Sequence, residues 1–217
     1  MPFDKQIWLD SDTAIQLWEL RESPVDLLPW LEITSNEKHE LEHLRNEKRQ
    51  TEYLATRILL RKVFPEANIR YNNNRAPFLH NEDTYISIAH SKKYVCLMHS
   101  KHPCGVDIET VESKALRIAS RFLGESELKY ISDEQPARDA TLLWSAKESL
   151  YKLLKKDGIE FSKQLIIQGI AINGQRRIEA SIITEKAYTN HELMYEFIDD
   201  QILTWVIDKK NECNAHR

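Results

Sequence analysis

Glycine is scarce in this chain, with five in 217 residues, at positions 105, 124, 158, 169 and 174. None stands in a GxxxxGKS/T, GxGxxG or GxSxG pattern, so nothing supports a P-loop enzyme, a typical dinucleotide-binding fold or a serine hydrolase. Cysteine is rarer still: Cys96, Cys104 and Cys213 form an odd, sparse set that argues against a disulfide framework. Long apolar runs are missing too. No stretch approaches the roughly 20 residues that span a bilayer, and the opening MPFDKQIWLDSD lacks a charged-then-apolar signal pattern. The expectation is a cytoplasmic protein without a membrane partner. An excess of positive charge is also absent. The net charge of -4 argues against a general nucleic-acid binder, although local basic clusters remain suited to a small phosphorylated ligand.

What is present is an ordinary globular balance, 41% apolar and 29% charged, in a chain long enough for one large domain or two small lobes. Strand patterns are predicted at Ile15–Leu20, in YISIAHS and KYVCLMHS around a turn at Ser91–Lys93, and in CGVDIE. Residues Asn36–Phe64 read as two helices or a bent one, with the break near Asn46–Gln50, and Ser113–Ile131 as a helix or helix pair. YNNNRAPFLHNED is predicted as a loop, and Asn173-Gly174 as a hairpin turn joining two of the strands that dominate the end of the chain.

The segment ARDATLLWSAKESLYKLLKKDG predicts a helix that stops at Gly158. Residues set about 100° apart put Ala146, Leu150, Leu153 and Leu154 on one apolar face. The other side carries Trp144, Glu148, Tyr151, Lys152 and Lys155, and a merely solvated face has little reason to hold a Trp and a Tyr. Lys152 follows Glu148 by four residues, either as a simple surface pair or as an acid and a cation delivered to one site. In GVDIE, alternation puts Asp107 and Glu109 on one strand face, either exposed or holding a hard divalent cation. His90 ends a strand, where an imidazole and turn N–H groups can meet an anion. Arg57 and Arg61 share a helix face near Lys48 and Arg49, as solvated surface or as a phosphate clamp. CLMHSKHPC is a poor zinc motif, because Cys96 and His99 point to opposite faces of a strand.

Taken in order, RAPFL, SIAHS, GVDIE and WSAKESLYK resemble the signature of the Sfp-type 4'-phosphopantetheinyl transferases, over a stretch from about Arg49 to Gly158. The resemblance implies an α/β (α+β) monomer of two similar lobes related by a pseudo-twofold axis, each a small, mostly antiparallel sheet packed with helices. We place the lobes at 1–104 and 105–217. It implies transfer of the phosphopantetheine arm of coenzyme A to a serine of an apo acyl or peptidyl carrier protein of fatty-acid, peptide or polyketide synthesis, with release of 3',5'-ADP. Carried over by position, Asp107, Glu109 and Glu148 become ligands of Mg²⁺, or of Mn²⁺, and Glu148 also the base that takes the serine proton. His90 meets a phosphate of coenzyme A, Lys152 and Lys147 its pyrophosphate, and Arg49, Arg57 and Arg75 its 3'-phosphate. RFLGESELKYI resembles the family's segment that follows the metal strand, which implies a part in receiving the carrier. Two positions depart from the pattern: Ala89 replaces the first serine of S-H-S, and Arg75-Ala76-Pro77 replaces G-K-P. They motivate the alternative of a coenzyme A or nucleotide-binding protein that kept the fold without turnover.

Overall fold

The structure, a computed structural model, describes residues 5–80, 83–171 and 175–209. In chain order the elements are β1 (Lys5–Trp8), β2 (Ala14–Glu19), α1 (Pro24–Leu27), α2 (Ser35–His43), α3 (Glu47–Val63), β3 (Ile69–Tyr71), β4 (Pro77–Leu79), β5 (Tyr85–His90) and β6 (Tyr94–Ser100). They continue with β7 (Cys104–Thr110), α4 (Ser113–Arg117), α5 (Ala119–Phe122), α6 (Pro136–Leu154), α7 (Phe161–Gln164), β8 (Leu165–Ala171), β9 (Arg177–Ile183), β10 (Tyr188–Ile198) and β11 (Gln201–Ile207). Two antiparallel sheets result, ordered β1-β2-β6-β5 and β7-β11-β10-β9-β8, with β3 and β4 pairing separately. Small antiparallel sheets packed with helices are the expected fold class.

Alternation within the strands explains the layers. On β6, Val95 and Leu97 turn toward α3, where Leu54, Ile58, Leu59 and Leu60 supply the helical stripe. The intervening Tyr94, Cys96 and Met98 pack against Val106, Ile108, Leu203 and Trp205 of the second sheet. The far face of that sheet, with Ile178, Ile182, Leu193 and Ile202, receives Leu143, Ala146 and Leu150 of α6. Each sheet therefore carries one long helix, and a third core fills the space between the sheets. Where the edges β5 and β7 approach, the Val106 N–H donates to Ser87 Oγ at 3.0 Å.

Local chemistry sets several boundaries. Thr34 caps α2 through the Glu37 N–H, and Asn46 caps α3 through the Arg49 N–H, so the basic region is two helices. The Ser113–Ile131 region is broken into α4, α5 and a 3₁₀ turn at Glu125–Tyr130. YNNNRAPFL is more ordered than a loop: Asn72 closes a turn with the Ala76 and Asn74 N–H groups, and β3 and β4 flank it. The helix predicted to reach Gly158 ends at Leu154, because Lys155 takes the left-handed conformation (φ 51°) that reverses the chain. The Asn173-Gly174 turn and Cys213 lie outside the described residues.

Candidate active site

Three elements converge beside the seam between β5 and β7. On β7, Val106 and Ile108 enter the core between the sheets, so Gly105, Asp107 and Glu109 face α6. Helix α6 lies close on this strand, anchored by a buried hydroxyl cluster in which the hydroxyls of Ser145 and Ser149 lie within 2.9 Å of Thr204 Oγ1 on β11. Thr204 is also the register partner of Asp107, so these bonds hold the helix directly over the strand acids.

Lys152 Nζ donates to Asp107 Oδ1 at 2.8 Å and to the Val106 carbonyl at 3.0 Å. The second oxygen, Asp107 Oδ2, is buried with no hydrogen-bond donor among the described residues. Glu109 Oε1 accepts from Trp144 Nε1 at 2.9 Å. Burial, and then the Asp107 charge, push the Glu109 carboxyl up to about 7, against the Trp144 bond. The same two causes push Glu148 up to about 7. These are acids gathered without enough positive charge. Among the described residues no three acid, histidine or cysteine side chains form a finished metal cage. The donors nevertheless fit a hard cation in kind, as three oxygen-bearing acids, one with an orphaned buried oxygen and two raised by burial and then by like charge.

Two cavities open from this point and share His90. One, of about 440 Å³, has Glu109, Glu112, Lys114 and Trp144 on one side and Lys48, Arg49 and Glu52 on the other. The second, of about 250 Å³, has an apolar floor of Pro77, Ile86 and Ile88 beneath Arg75, Lys152, Lys155 and Lys156. No described acid lines the second cavity, whereas the first contains three. Burial, offset in part by the Glu52 charge, lowers the His90 pKa and so favours the neutral imidazole. Trp144 and Tyr151, one in the wall of each cavity, also pack on Phe161, which accounts for their place on the polar side of α6.

The sequence-predicted residues thus divide. Asp107, Glu109, Lys152, His90, Arg49 and Arg75 line or adjoin the two cavities, and Glu148 lies within the electrostatic reach of both strand acids. Lys147 requires correction. It is fully buried on the other side of α6, where Nζ donates to Glu127 at 2.7 Å and to the carbonyls of Phe122 and Phe161, so it cannot reach a ligand. Arg57 requires the same. It is buried against Glu37 and Glu40 and stacked on Tyr53, fixing α2 to α3 instead of facing a cavity. Arg61 also pairs with Glu37. Cys96 and Cys104 are buried free thiols, Cys104 being pushed up to about 12 by burial, and His99 packs edge-on against Trp8 and Phe64.

Sequence reasoning gave no role to Gly105 or Ser87, and it put Lys155 on the polar face of the helix without assigning it one. A glycine directly before the strand acids is a visible signal of close approach. Nothing in the composition of LLKKDG marks Lys155 as the residue with the left-handed backbone.

Two acids on an edge strand thus lie under a helix that brings a third acid and a lysine to them. Residues 103–206, which hold all three acids, match the family model described as the 4'-phosphopantetheinyl transferase superfamily. That segment, just under half of the chain, is similar to this superfamily. It is 32% identical over 116 residues to the 4'-phosphopantetheinyl transferase gsp of Aneurinibacillus migulanus, 48% of each chain. It is 34% identical over 73 residues to the 4'-phosphopantetheinyl transferase Sfp of Bacillus subtilis (strain 168), covering 32% of this chain and 33% of the relative. The chain thus spans about half the length of the first of these relatives and about a third of the second.

Proposed function

We propose that the protein transfers the 4'-phosphopantetheine arm of coenzyme A to a serine hydroxyl of an apo acyl or peptidyl carrier protein, releasing 3',5'-ADP. The observation that carries this reading is the meeting of Asp107, Glu109 and Glu148 with Lys152, which lines an acid-free cationic cavity. Residues 1–104 and 105–217 are read as the two lobes, with the site between them.

Asp107, Glu109 and Glu148 would hold Mg²⁺, which supplies charge neutralisation at the pyrophosphate when bound. Lys152, fixed by Asp107 and the Val106 carbonyl, adds a cation at the same place, and Arg75 and Arg49 offer guanidinium groups to the remaining phosphate. His90 stands where the two cavities join and orients the ligand as a neutral donor or acceptor. In the transfer step the serine oxygen bonds to the phosphorus that carries the pantetheine arm, and the bond from that phosphorus to 3',5'-ADP breaks. The serine proton passes to Glu148, whose raised pKa suits a base working near neutral pH. Alignment and charge stabilisation supply most of the acceleration.

The test is incubation with coenzyme A, Mg²⁺ and a panel of apo carriers, followed by intact-mass spectrometry of each carrier. Addition of the arm, with matching 3',5'-ADP release, is expected. Coenzyme A binding without modification of any carrier would instead support the non-catalytic reading.

A further inference from the structure

Among the described residues, three non-glycine positions have positive φ: Arg75, Lys155 and Asp199. Asp199 belongs to the tight turn between β10 and β11. The other two both line the second cavity. A lysine in the left-handed region is strained, and a glycine or asparagine would end the helix at lower cost. Strain that persists at a cleft points to a use for the side chain.

The surroundings of Lys155 show what the use is. Its carbonyl accepts from Asn74 Nδ2 at 2.9 Å, tying the end of α6 to the 72–76 turn of the other lobe. Its Nζ reaches the Pro77 carbonyl at 3.4 Å and lies over the Tyr85 ring, 5.3 Å from the centroid. Half-buried, it makes no ion pair with any described residue, and burial lowers its pKa. The ammonium is thus held partly out of water in an acid-free cavity, with only a long carbonyl contact and a ring, so it has donor capacity to spare. One helical turn away, Lys152 is already committed to Asp107.

We propose that Lys155 is a positioning residue whose strained backbone and ammonium clamp the Asn74–Pro77 turn onto α6, forming the slot for the nucleotide end of coenzyme A. This rests on the coenzyme A reading above and adds which residue forms that slot. Lys152 and the acids serve the pyrophosphate end, while Lys155 and Arg75, across an apolar floor of Pro77, Ile86 and Ile88, serve the heterocycle and its phosphate-bearing ribose.

The test is calorimetric binding of coenzyme A, 3',5'-ADP and 4'-phosphopantetheine to the parent and to the Lys155→Gly and Lys155→Arg variants, with Tm measured for each. Lys155→Gly removes the ammonium, relieves the backbone and keeps the carbonyl that Asn74 grips. The expected result is a Tm no lower than the parent's, with coenzyme A and 3',5'-ADP each bound about tenfold more weakly, the cost of one charge-assisted contact. Binding of 4'-phosphopantetheine should stay within about twofold, and Lys155→Arg should recover most of the lost affinity. If the parent binds coenzyme A but Lys155→Gly binds coenzyme A and 3',5'-ADP equally well, or loses all three ligands together, the clamp is refuted and the coenzyme A reading stands. If the parent binds no coenzyme A, both fail.

Discussion

Gly105 lies directly beneath the carbonyl of Ser149, so close that a Cβ at position 105 would sit 2.0 Å from that oxygen and 2.9 Å from the Leu153 nitrogen. No side-chain rotation relieves a clash with helix backbone. Gly105→Ala must therefore lift α6 from β7, breaking the Ser149–Thr204 bonds and separating Lys152 from Asp107. Overpacking of this kind costs about 1–3 kcal/mol, equivalent to a Tm fall of about 2–12 °C at this size. Differential scanning calorimetry reads the Tm, and the contact is misassigned if the variant melts with the parent.

Glu148 is raised near neutrality by its buried position and by Asp107, while its α6 neighbours Ser149 and Leu150 anchor the fold. Glu148→Gln keeps shape and removes the basic oxygen. Carrier modification is expected to slow by about 10²–10⁴-fold with an unchanged circular dichroism spectrum. Parental turnover in this variant would remove Glu148 from the reaction.

Lys147 and Glu127 form a wholly buried pair, and Glu127 also accepts from the Gly124 and Ile167 N–H groups. Lys147→Met leaves that carboxylate and its two N–H bonds in the core without the cation. A loss of about 3–5 kcal/mol is expected from removing one partner of such a pair, to be measured by urea unfolding. The folded fraction should still bind coenzyme A, because the Lys147 head group is turned away from both cavities.

Glu37 ties α2 to α3. Burial alone would raise its pKa, but the Thr34 N–H and the Arg61 guanidinium outweigh burial and lower it from the usual 4.5. A depressed folded-state pKa means that the stabilisation is fully present above the unfolded value and is lost as pH falls through the folded value. Stability should thus decline on acidification below about pH 4.5, and Glu37→Gln should flatten that decline while lowering stability at pH 7. Urea midpoints across pH 3–7 provide the check, and parallel curves for the two proteins would count against it.

Much of this is legible in the sequence. Alternation in GVDIE and KYVCLMHS already separated the inward Val106, Ile108 and Cys96 from the outward acids, because strand period is a local property. Trp144 and Tyr151 marked α6 as contacting something on both sides. What could not be read was pairing across long sequence distances. Lys147 and Glu127 are 20 residues apart, and Arg57 and Glu40 are 17 apart. In the sequence each such cation looks as free as Lys152. The end of α6 was misplaced for a related reason: Gly158 offers a cheap stop, but contacts of Lys155 with Asn74 and Pro77 reward an earlier and costlier one.

The Val106–Ser87 bond at the seam between β5 and β7 bears on whether the two halves can exist apart. Each of these strands is the last of its sheet, and in the whole protein each shields the other. Cut between the halves, either piece would present a raw strand edge beside apolar side chains, the surface that recruits further strands into aggregates. Attempts to express one half alone should accordingly yield insoluble material, and co-expression of the two pieces should restore solubility.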